Sequence, residues 1–231
     1  MQAKMNMVDN FDINAWLEDF RKNLLCLFGK RLRFFGLQGS YGRGEQTADS
    51  DIDVVVIVDD MSHYDMLSYR NMIDAMDHSS MICGFVAGTS ELRGWEKSDL
   101  LQLYLDTKPV IGSLDSFGFF FTKEDVRRAV HKGACNIYHA CSHNFLHARN
   151  MGMLTELYKS ARFTVRMKYY CETGEYVASF CRLSEVVYGE DRNLLACATS
   201  MSEGIKDNLF DGYSLMLMDW AADTIGKMHK A

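Results

Sequence analysis

Apolar positions in the first sixty residues follow two different patterns. Between Asp12 and Phe28, large apolar residues recur every three or four positions, which predicts an amphipathic helix ended by Gly29. Short apolar runs at 32–37 and 51–58 predict two strands. The second run has aliphatic residues at consecutive positions, so we expect other layers to cover both faces of this strand.

Later elements divide the chain into two parts. Before residue 121 the pattern predicts helix, strand, helix and strand in turn, at 64–78, 81–87, 99–106 and 110–111. After it the periods are helical, at 126–148, 154–172, 177–187 and 205–228. Thr122, with Asp125 three positions on, predicts a capping-box-like helix start. We therefore predict an α+β fold with an α/β domain at 1–120 and an all-helical domain at 121–231.

Composition and charge narrow the classes of protein. The 231 residues are 48% hydrophobic and 24% charged, which is ordinary for a globular protein. The net charge is −6 and no basic run is present, so we do not expect long nucleic acid as a partner. No apolar segment is long enough to cross a membrane, and no secretory signal is found. The seven scattered cysteines form no CxxC motif, which favours reduced thiols in the cytoplasm.

Two aspartates at the start of the aliphatic strand suggest metal chemistry. Side chains alternate along a strand, so Asp51 and Asp53 are expected on the same face, about 6.6 Å apart along the chain. Neighbouring carboxylates repel each other, and burying them without a cation is costly. Mg²⁺ accepts oxygen ligands and keeps positions open for phosphates, so the pair predicts a magnesium site.

A glycine-rich segment comes just before this pair. Gly39, Ser40, Gly42 and Gly44 lie within six residues, and such a turn lets backbone N–H groups surround an anion. The Ser40 hydroxyl can also donate to a phosphate oxygen. The turn and the carboxylates are expected on adjacent strands, an arrangement that suits a triphosphate with its metal.

The ordered pattern Gly39-Ser40-x-Gly42-Arg43-Gly44, Thr47 and Ser50-Asp51-Ile52-Asp53-Val54 resembles the signature of the DNA polymerase β-like nucleotidyltransferase superfamily. Within it, the chain is similar above all to the minimal nucleotidyltransferases and the aminoglycoside adenylyltransferases. The segment 158–176 is similar to the helical domain of the streptomycin/spectinomycin-type enzymes. The resemblance implies a polymerase β-like domain with a mixed sheet, followed by a helical substrate-binding domain.

The resemblance also implies roles for the matching residues. Asp51 and Asp53 would bind Mg²⁺, with two ions expected, and an NTP such as ATP would be the co-substrate. The cofactor-binding residues would be Gly39, Ser40, Arg43 and Ser50. For Arg43, a structural role is an equal alternative to contact with the triphosphate.

The family normally adds a third carboxylate on a later strand, and the strand 81–87 carries none. Glu91 is the nearest substitute and completes the predicted catalytic set with Asp51 and Asp53. Alternatively, Glu91 caps the following helix. Asp106 and Asp115 are further options for the third acid.

Two groups of residues in the helical domain are further candidates for binding sites. Five residues recur every four positions, but this spacing drifts about 40° per step and favours a partly buried seam over a metal site: His131, Cys135, His139, His143 and His147. Four acids are candidates for holding a cationic acceptor, although solvated helix charges are the simpler interpretation: Glu156, Glu172, Glu175 and Glu185.

Three functions remain open at this stage. The first is transfer of an NMP, AMP foremost, to a hydroxyl of a small acceptor such as an aminoglycoside-like sugar, by two-metal in-line displacement. The second is nucleotidylation of a protein. The third is a nucleotide-binding module that lost turnover together with its third acid. The oligomeric state is open, with a homodimer among the alternatives.

Overall fold

A computed structural model describes residues 11–48, 50–202 and 209–230, which divide into two compact units. The sheet unit contains the residues up to Gly94 together with Thr107–Gly118. The helical unit contains Trp95–Asp106 and the residues from Phe119 onwards. Compared with a boundary between residues 120 and 121, two segments lie with the helices instead: Trp95–Asp106 and residues 119–120.

The sheet unit is built on four strands. They are β1 (Leu32–Gln38), β2 (Ile52–Val58), β3 (Ile82–Gly88) and β4 (Lys108–Ile111). Their order is β3-β2-β1-β4. β1 is antiparallel to both β2 and β4, whereas β2 and β3 are parallel. The sheet is therefore mixed, and β2 occupies an interior position, as its unbroken aliphatic run predicts.

Two helices cover one face of this sheet. α1 (Ile13–Phe28) begins at Asp12, whose carboxylate accepts from the Asn14 and Ala15 N–H groups, and it ends at Gly29. α3 (His63–Asp74) begins with a capping box between Ser62 and Asp65. Their apolar side chains pack with alternate residues of β2 in one core, which includes Trp16, Phe20, Leu24, Ile52, Val54, Val56 and Tyr69.

Short helices complete the sheet unit. α2 (Gly39–Arg43) follows β1 directly, and α4 (Thr89–Gly94) follows β3. Each has at most six residues, which is too short for a helical period to show in the sequence. Both are therefore found only in the structure.

The helical unit contains six α-helices within the described residues. They are α5 (Lys97–Asp106), α6 (Lys123–His143), α7 (Met151–Thr173), α8 (Phe180–Val186), α9 (Gly189–Ser202) and α10 (Phe210–Lys230). The predicted capping box of Thr122 and Asp125 starts α6. A large core unites α6, α7, α8, α9 and α10 and includes Leu154, Tyr158, Leu183, Leu195 and Trp220. The α+β fold with a helical second part is thus confirmed.

Several predicted helix bounds differ from the observed ones. α6 ends at His143, and a π-helical turn, Asn144–Ala148, follows it. α8 starts later than predicted because Ser179 caps it. α9 was not predicted, and residues 205–208 of the last predicted helix lie outside the described residues.

The segment Trp95–Asp106 joins the helical unit through its apolar face. Leu101 of α5 is buried with Val126 and Val130 of α6 and with Met167 of α7. Sequence order placed α5 with the strands that flank it, whereas burial of this face places it with α6 and α7.

Candidate active site at one end of the sheet

The candidate site is built where β1 runs into α2, beside the start of β2. Gln38, the last residue of β1, pairs with Asp53 in antiparallel register. Ile52 and Val54, the neighbours of Asp53, face the core under α1 and α3. Since side chains alternate along a strand, Asp53 points to the other face of the sheet. The carboxylate therefore lies on the face away from these two helices.

Gly39 fixes the position of the Asp53 carboxylate. Its φ is +68°, a left-handed value that favours glycine. A Cβ atom at this position would overlap the carboxylate of Asp53. Glycine is therefore needed here for both reasons, and its missing side chain is what allows the turn and the acid to touch.

The turn that carries Ser40 is anchored from its other side. Tyr41 packs against the core and meets Phe11 edge-to-face, with ring centroids 5.8 Å apart. Gly44 ends α2 in a left-handed conformation at φ 74°. No side chain caps the start of α2 at Gln38. The first N–H groups of the turn therefore remain suited to an anionic ligand.

The second aspartate and its neighbouring serine lie just before β2. Asp51 is exposed and precedes the first strand residue, Ile52. Ser50 accepts a hydrogen bond from the Thr47 N–H at 2.9 Å, and its own N–H donates to the Thr47 carbonyl at 3.1 Å. The Ser50 hydroxyl thus stabilises the turn that precedes Asp51, and in this way it helps to position that residue at the start of β2.

Arg43, the only arginine of the glycine-rich segment, is turned inward. Its side chain is 6% exposed, and its Nε lies 3.1 Å from the Glu45 carboxylate. Of the two roles that the sequence allows, this ion pair favours the structural one.

Comparison with known proteins fits this arrangement. Residues 17–127 match the family model described as a nucleotidyltransferase domain. These residues form a nucleotidyltransferase domain. The matched region begins within α1 and contains the whole sheet, the Ser40 turn and both aspartates.

The fold around this nucleotidyltransferase domain has a solved counterpart. The structure is similar to that of spectinomycin adenyltransferase AAD(9) from Enterococcus faecialis, solved with ATP and spectinomycin. The two share 15% sequence identity with a TM-score of 0.62, over 93% of this chain and 100% of the other. At this identity the likeness concerns the fold. No curated protein matches the sequence significantly.

Glu91 lies far from the two aspartates of the nucleotidyltransferase domain. Asp53 pairs with Cys83 in the parallel β2–β3 ladder, and Val58 pairs with Gly88. Glu91 follows Gly88, and its carboxylate lies over that glycine. Five strand residues therefore separate it from the level of Asp53, about 16 Å at 3.3 Å per residue. Glu91 is close to β3 in sequence, but it follows the end of that strand that is opposite to Asp53. The structure therefore gives no support to Glu91 as the third carboxylate.

The other two acids considered for this role have different partners. Asp106 belongs to the helical unit, where the Arg166 guanidinium donates to it at 2.9 Å. Asp115 follows β4 and accepts a hydrogen bond from Ser113 at 3.0 Å in the start of a short 3-10 helix. Both carboxylates are thus already engaged in hydrogen bonds of their own surroundings.

Cys83 lies next to Asp53 on the neighbouring strand, a position that the sequence pattern does not reveal. Paired residues of parallel strands project to the same face, so the Cys83 thiol and the Asp53 carboxylate share one face of the sheet. Cys83 is exposed. Only the register of β2 against β3 shows that these two residues are neighbours, and the sequence does not reveal that register.

The donor set of the nucleotidyltransferase domain suits one hard cation better than a preformed metal cage. Within the described residues, no group of three or more His, Cys, Asp or Glu side chains could hold a metal ion. Mg²⁺ is commonly held by one or two carboxylates together with substrate phosphates. Asp51, Asp53 and the adjacent phosphate-sized turn fit that mode of binding.

Only part of the histidine stripe of the helical unit is half-buried, whereas the sequence predicts a partly buried seam between helices. His131 and Cys135 are half-buried with their Nε2 and Sγ atoms 3.9 Å apart, whereas His139, His143 and His147 are exposed. The four candidate acids of this unit are also exposed: Glu156, Glu172, Glu175 and Glu185. Across the described ranges, every helix is too short or too polar to span a bilayer.

Proposed function

We propose that this protein transfers AMP from ATP to a hydroxyl group of a small, sugar-like acceptor. One observation carries the proposal: the Asp53 carboxylate touches Gly39, where the Ser40 turn begins, so an acid and an anion-binding turn form one corner. A triphosphate with its cation needs both parts within a few ångströms. Membership of residues 17–127 in the nucleotidyltransferase domain family supports the same reaction class.

Each residue of this corner has a proposed role. The backbone N–H groups of the turn and the Ser40 hydroxyl would donate to the β- and γ-phosphates. Asp51 and Asp53 would hold Mg²⁺ together with phosphate oxygens. When bound, Mg²⁺ would offset the charge of the phosphates and of the departing pyrophosphate. The acceptor oxygen attacks the α-phosphorus in line, the bond to the β-phosphate oxygen breaks, and the hydroxyl proton passes to solvent or a nearby base.

The nucleotide and the acceptor class are proposed by analogy with the structural neighbour. AAD(9) was solved with ATP and spectinomycin. We therefore propose ATP as the donor and aminocyclitol or aminoglycoside compounds as the first acceptors to test. We also propose a cytoplasmic location, which the seven free thiols support, and leave a homodimer as a question for solution measurements.

The test compares two aspartates of one strand region. Asp53→Asn removes the carboxylate at the Ser40 turn, and Asp59→Asn removes an exposed carboxylate just beyond the other end of β2, where it pairs with Arg33 at 3.0 Å. Transfer is measured with α-labelled ATP, Mg²⁺ and an acceptor panel. We expect Asp53→Asn to lose roughly a thousandfold in rate, the scale of removing one strong electrostatic contact, and Asp59→Asn to match the wild type.

Equal activity of the Asp53→Asn and Asp59→Asn proteins would overturn the proposal, provided that circular dichroism shows both folded. Label that appears on a protein band, with no labelled small molecule, would replace the small acceptor by a protein one.

A second candidate function is nucleotide binding without turnover. The observation that favours it is the place of Glu91 at the far end of β3, which leaves two carboxylates for an expected pair of ions. Electron paramagnetic resonance with Mn²⁺ and a non-hydrolysable ATP analogue counts the bound ions, and a parallel assay with ATP measures product. Two bound ions support transfer, whereas one bound ion and no product from ATP support the binding module.

A further inference from the structure

A cavity lined by both polar and apolar residues lies within the helical unit. It has a volume of ≈290 Å³ and lies between α5, α6 and α7. Ala129, Ile137 and Thr164 form buried parts of its lining, and Asn136 and Ser160 are exposed. The volume is near the lower end of ligand sites and corresponds to roughly ten water molecules.

Four hydrogen-bonding side chains of the lining are left without a protein partner. Within the described ranges, Gln102, Asn136, Ser160 and Thr164 make no hydrogen bond to another protein group. Thr164 is the most informative of them, because it is only 4% exposed. This residue lines the cavity, where water or a ligand can hydrogen-bond to the hydroxyl.

The direction of the Thr164 hydroxyl is set by the neighbouring helix. Thr155, on the same helix, donates its hydroxyl to the Met151 carbonyl one turn earlier, at 3.0 Å. Thr164 instead faces Gly133 of α6, where a Cβ atom would crowd its Oγ1. Because Gly133 has no side chain, the Thr164 hydroxyl has room between α6 and α7 beside the cavity.

The charges of the lining cancel. Asp99 and Lys132, its two ionised groups, lie 2.6 Å apart as an ion pair. Outside the lining, Glu96 lies 3.8 Å from Lys132 and 3.2 Å from Arg128. The negative charge of Glu96 is therefore also offset by a neighbouring positive charge. A charged ligand would gain no unpaired counterion here, so the cavity favours an uncharged molecule.

The remaining lining favours a ring that carries several hydroxyl groups. Ala129, Ile137 and Phe163 offer an apolar surface to C–H groups, while the amides and hydroxyls beside them both donate and accept. A polyol can replace the hydrogen bonds of the water that it displaces, whereas an apolar ligand cannot. We propose that this cavity binds a neutral cyclic polyol of monosaccharide size. The inference concerns the helical unit alone and does not depend on nucleotide transfer.

The test uses the full-length protein with D-glucose and myo-inositol as probes. Saturation-transfer NMR titrations should give saturable binding with roughly millimolar dissociation constants. The double variant Asn136→Leu/Thr164→Val removes two polar groups with little change of volume, and we expect it to bind at least about tenfold more weakly. Thr155→Val, the same change on the same helix outside the cavity, should bind as the wild type does.

Three results would overturn the inference: no saturable binding of either probe, equal binding by the double variant, or preference for glucosamine or glucose 6-phosphate over glucose. If the double variant fails to fold, Ser160→Trp at the exposed side of the cavity takes its place and should block the probes. Asp53→Asn should bind them normally, so this experiment and the transfer assay fail independently.

Discussion

The best-buried charges of the helical unit and the acidic corner of the sheet unit lie in different surroundings. The helical unit buries charges and pairs them: Arg166, 1% exposed, donates to Asp106 at 2.9 Å, and Lys168 donates to Asp191 at 2.8 Å. In the sheet unit, Asp51 is exposed and Asp53 is half-buried beside a turn rich in N–H donors. Acidic residues are frequent in both units, so the number of charges does not distinguish them.

The contrast shows how to separate supporting charges from charges kept for a ligand. Three aromatic rings, those of Phe163, Tyr176 and Phe180, lie within 4.8–5.0 Å of the Arg166 guanidinium carbon. A charge enclosed in this way stabilises one fold and is closed to ligands. A carboxylate at the end of a sheet strand, by contrast, lies where a hydrated cation can reach it.

The largest effect is expected from breaking the buried pair. Arg166→Met leaves Asp106 buried without its main counterion, which should cost about 3–5 kcal/mol of unfolding free energy. Urea unfolding followed by circular dichroism measures it. Lys159→Met, on the same helix as Arg166, removes a lysine whose side chain is 44% exposed and pairs with Glu156. That control should change stability far less, and equal losses would contradict the distinction between the pairs.

A smaller loss of stability, with a loss of function, is expected at the acidic corner. Gly39→Ala forces a Cβ atom onto the Asp53 carboxylate and strains a positive φ. We expect about 2–3 kcal/mol of destabilisation and a strong loss of Mg·ATP binding by calorimetry. Gly44→Ala, at φ 74° with open space around it, should cost only about 1 kcal/mol and leave binding intact. Equal nucleotide affinities of the two variants would contradict the proposed corner.

Asp65 offers a satisfied carboxylate in the sheet unit. The Arg31 guanidinium, helped by Ser62, holds the pKa of Asp65 well below its usual range. Its stabilising effect is therefore complete above the unfolded-state pKa and is lost as the pH falls below about 4. Asp65→Asn should cost about 1–2 kcal/mol at pH 7 and flatten the decline of stability in acid. Asp19→Asn, at an exposed pair with Lys22, should leave that decline unchanged.

The smallest expected effect comes from adding an acid to the corner. Cys83→Asp places a carboxylate in register beside Asp53, so we expect Mn²⁺ to bind roughly threefold to tenfold more tightly. Electron paramagnetic resonance titration measures the change, and Cys26→Asp on α1 is the control. Unchanged affinity at position 83 would mean that this side chain does not reach the cation.

Features that depend on local chemistry could be predicted from the sequence. The caps of α1 and α6, the interior strand β2 and the contact of the glycine turn with Asp53 all follow from residues close together in the chain. The missed helix α9 buries Leu194, Leu195, Ala198 and Met201, at helical spacing but among small and polar residues.

Features that depend on register or on converging helices could not be predicted in this way. Sequence order places Glu91 near the strand that should carry a third acid, but the parallel pairing of β2 with β3 sets it beyond the far end. Likewise, Ser98–Gln102, Ala129–Ile137 and Ser160–Thr164 become walls of one cavity only when three helices meet.

The overlap between the missing side chain of residue 39 and the carboxylate of residue 53 has an evolutionary consequence. Enlarging the first position demands a smaller second one, so the glycine cannot change alone. We therefore expect relatives that have lost the glycine to have lost the acid as well.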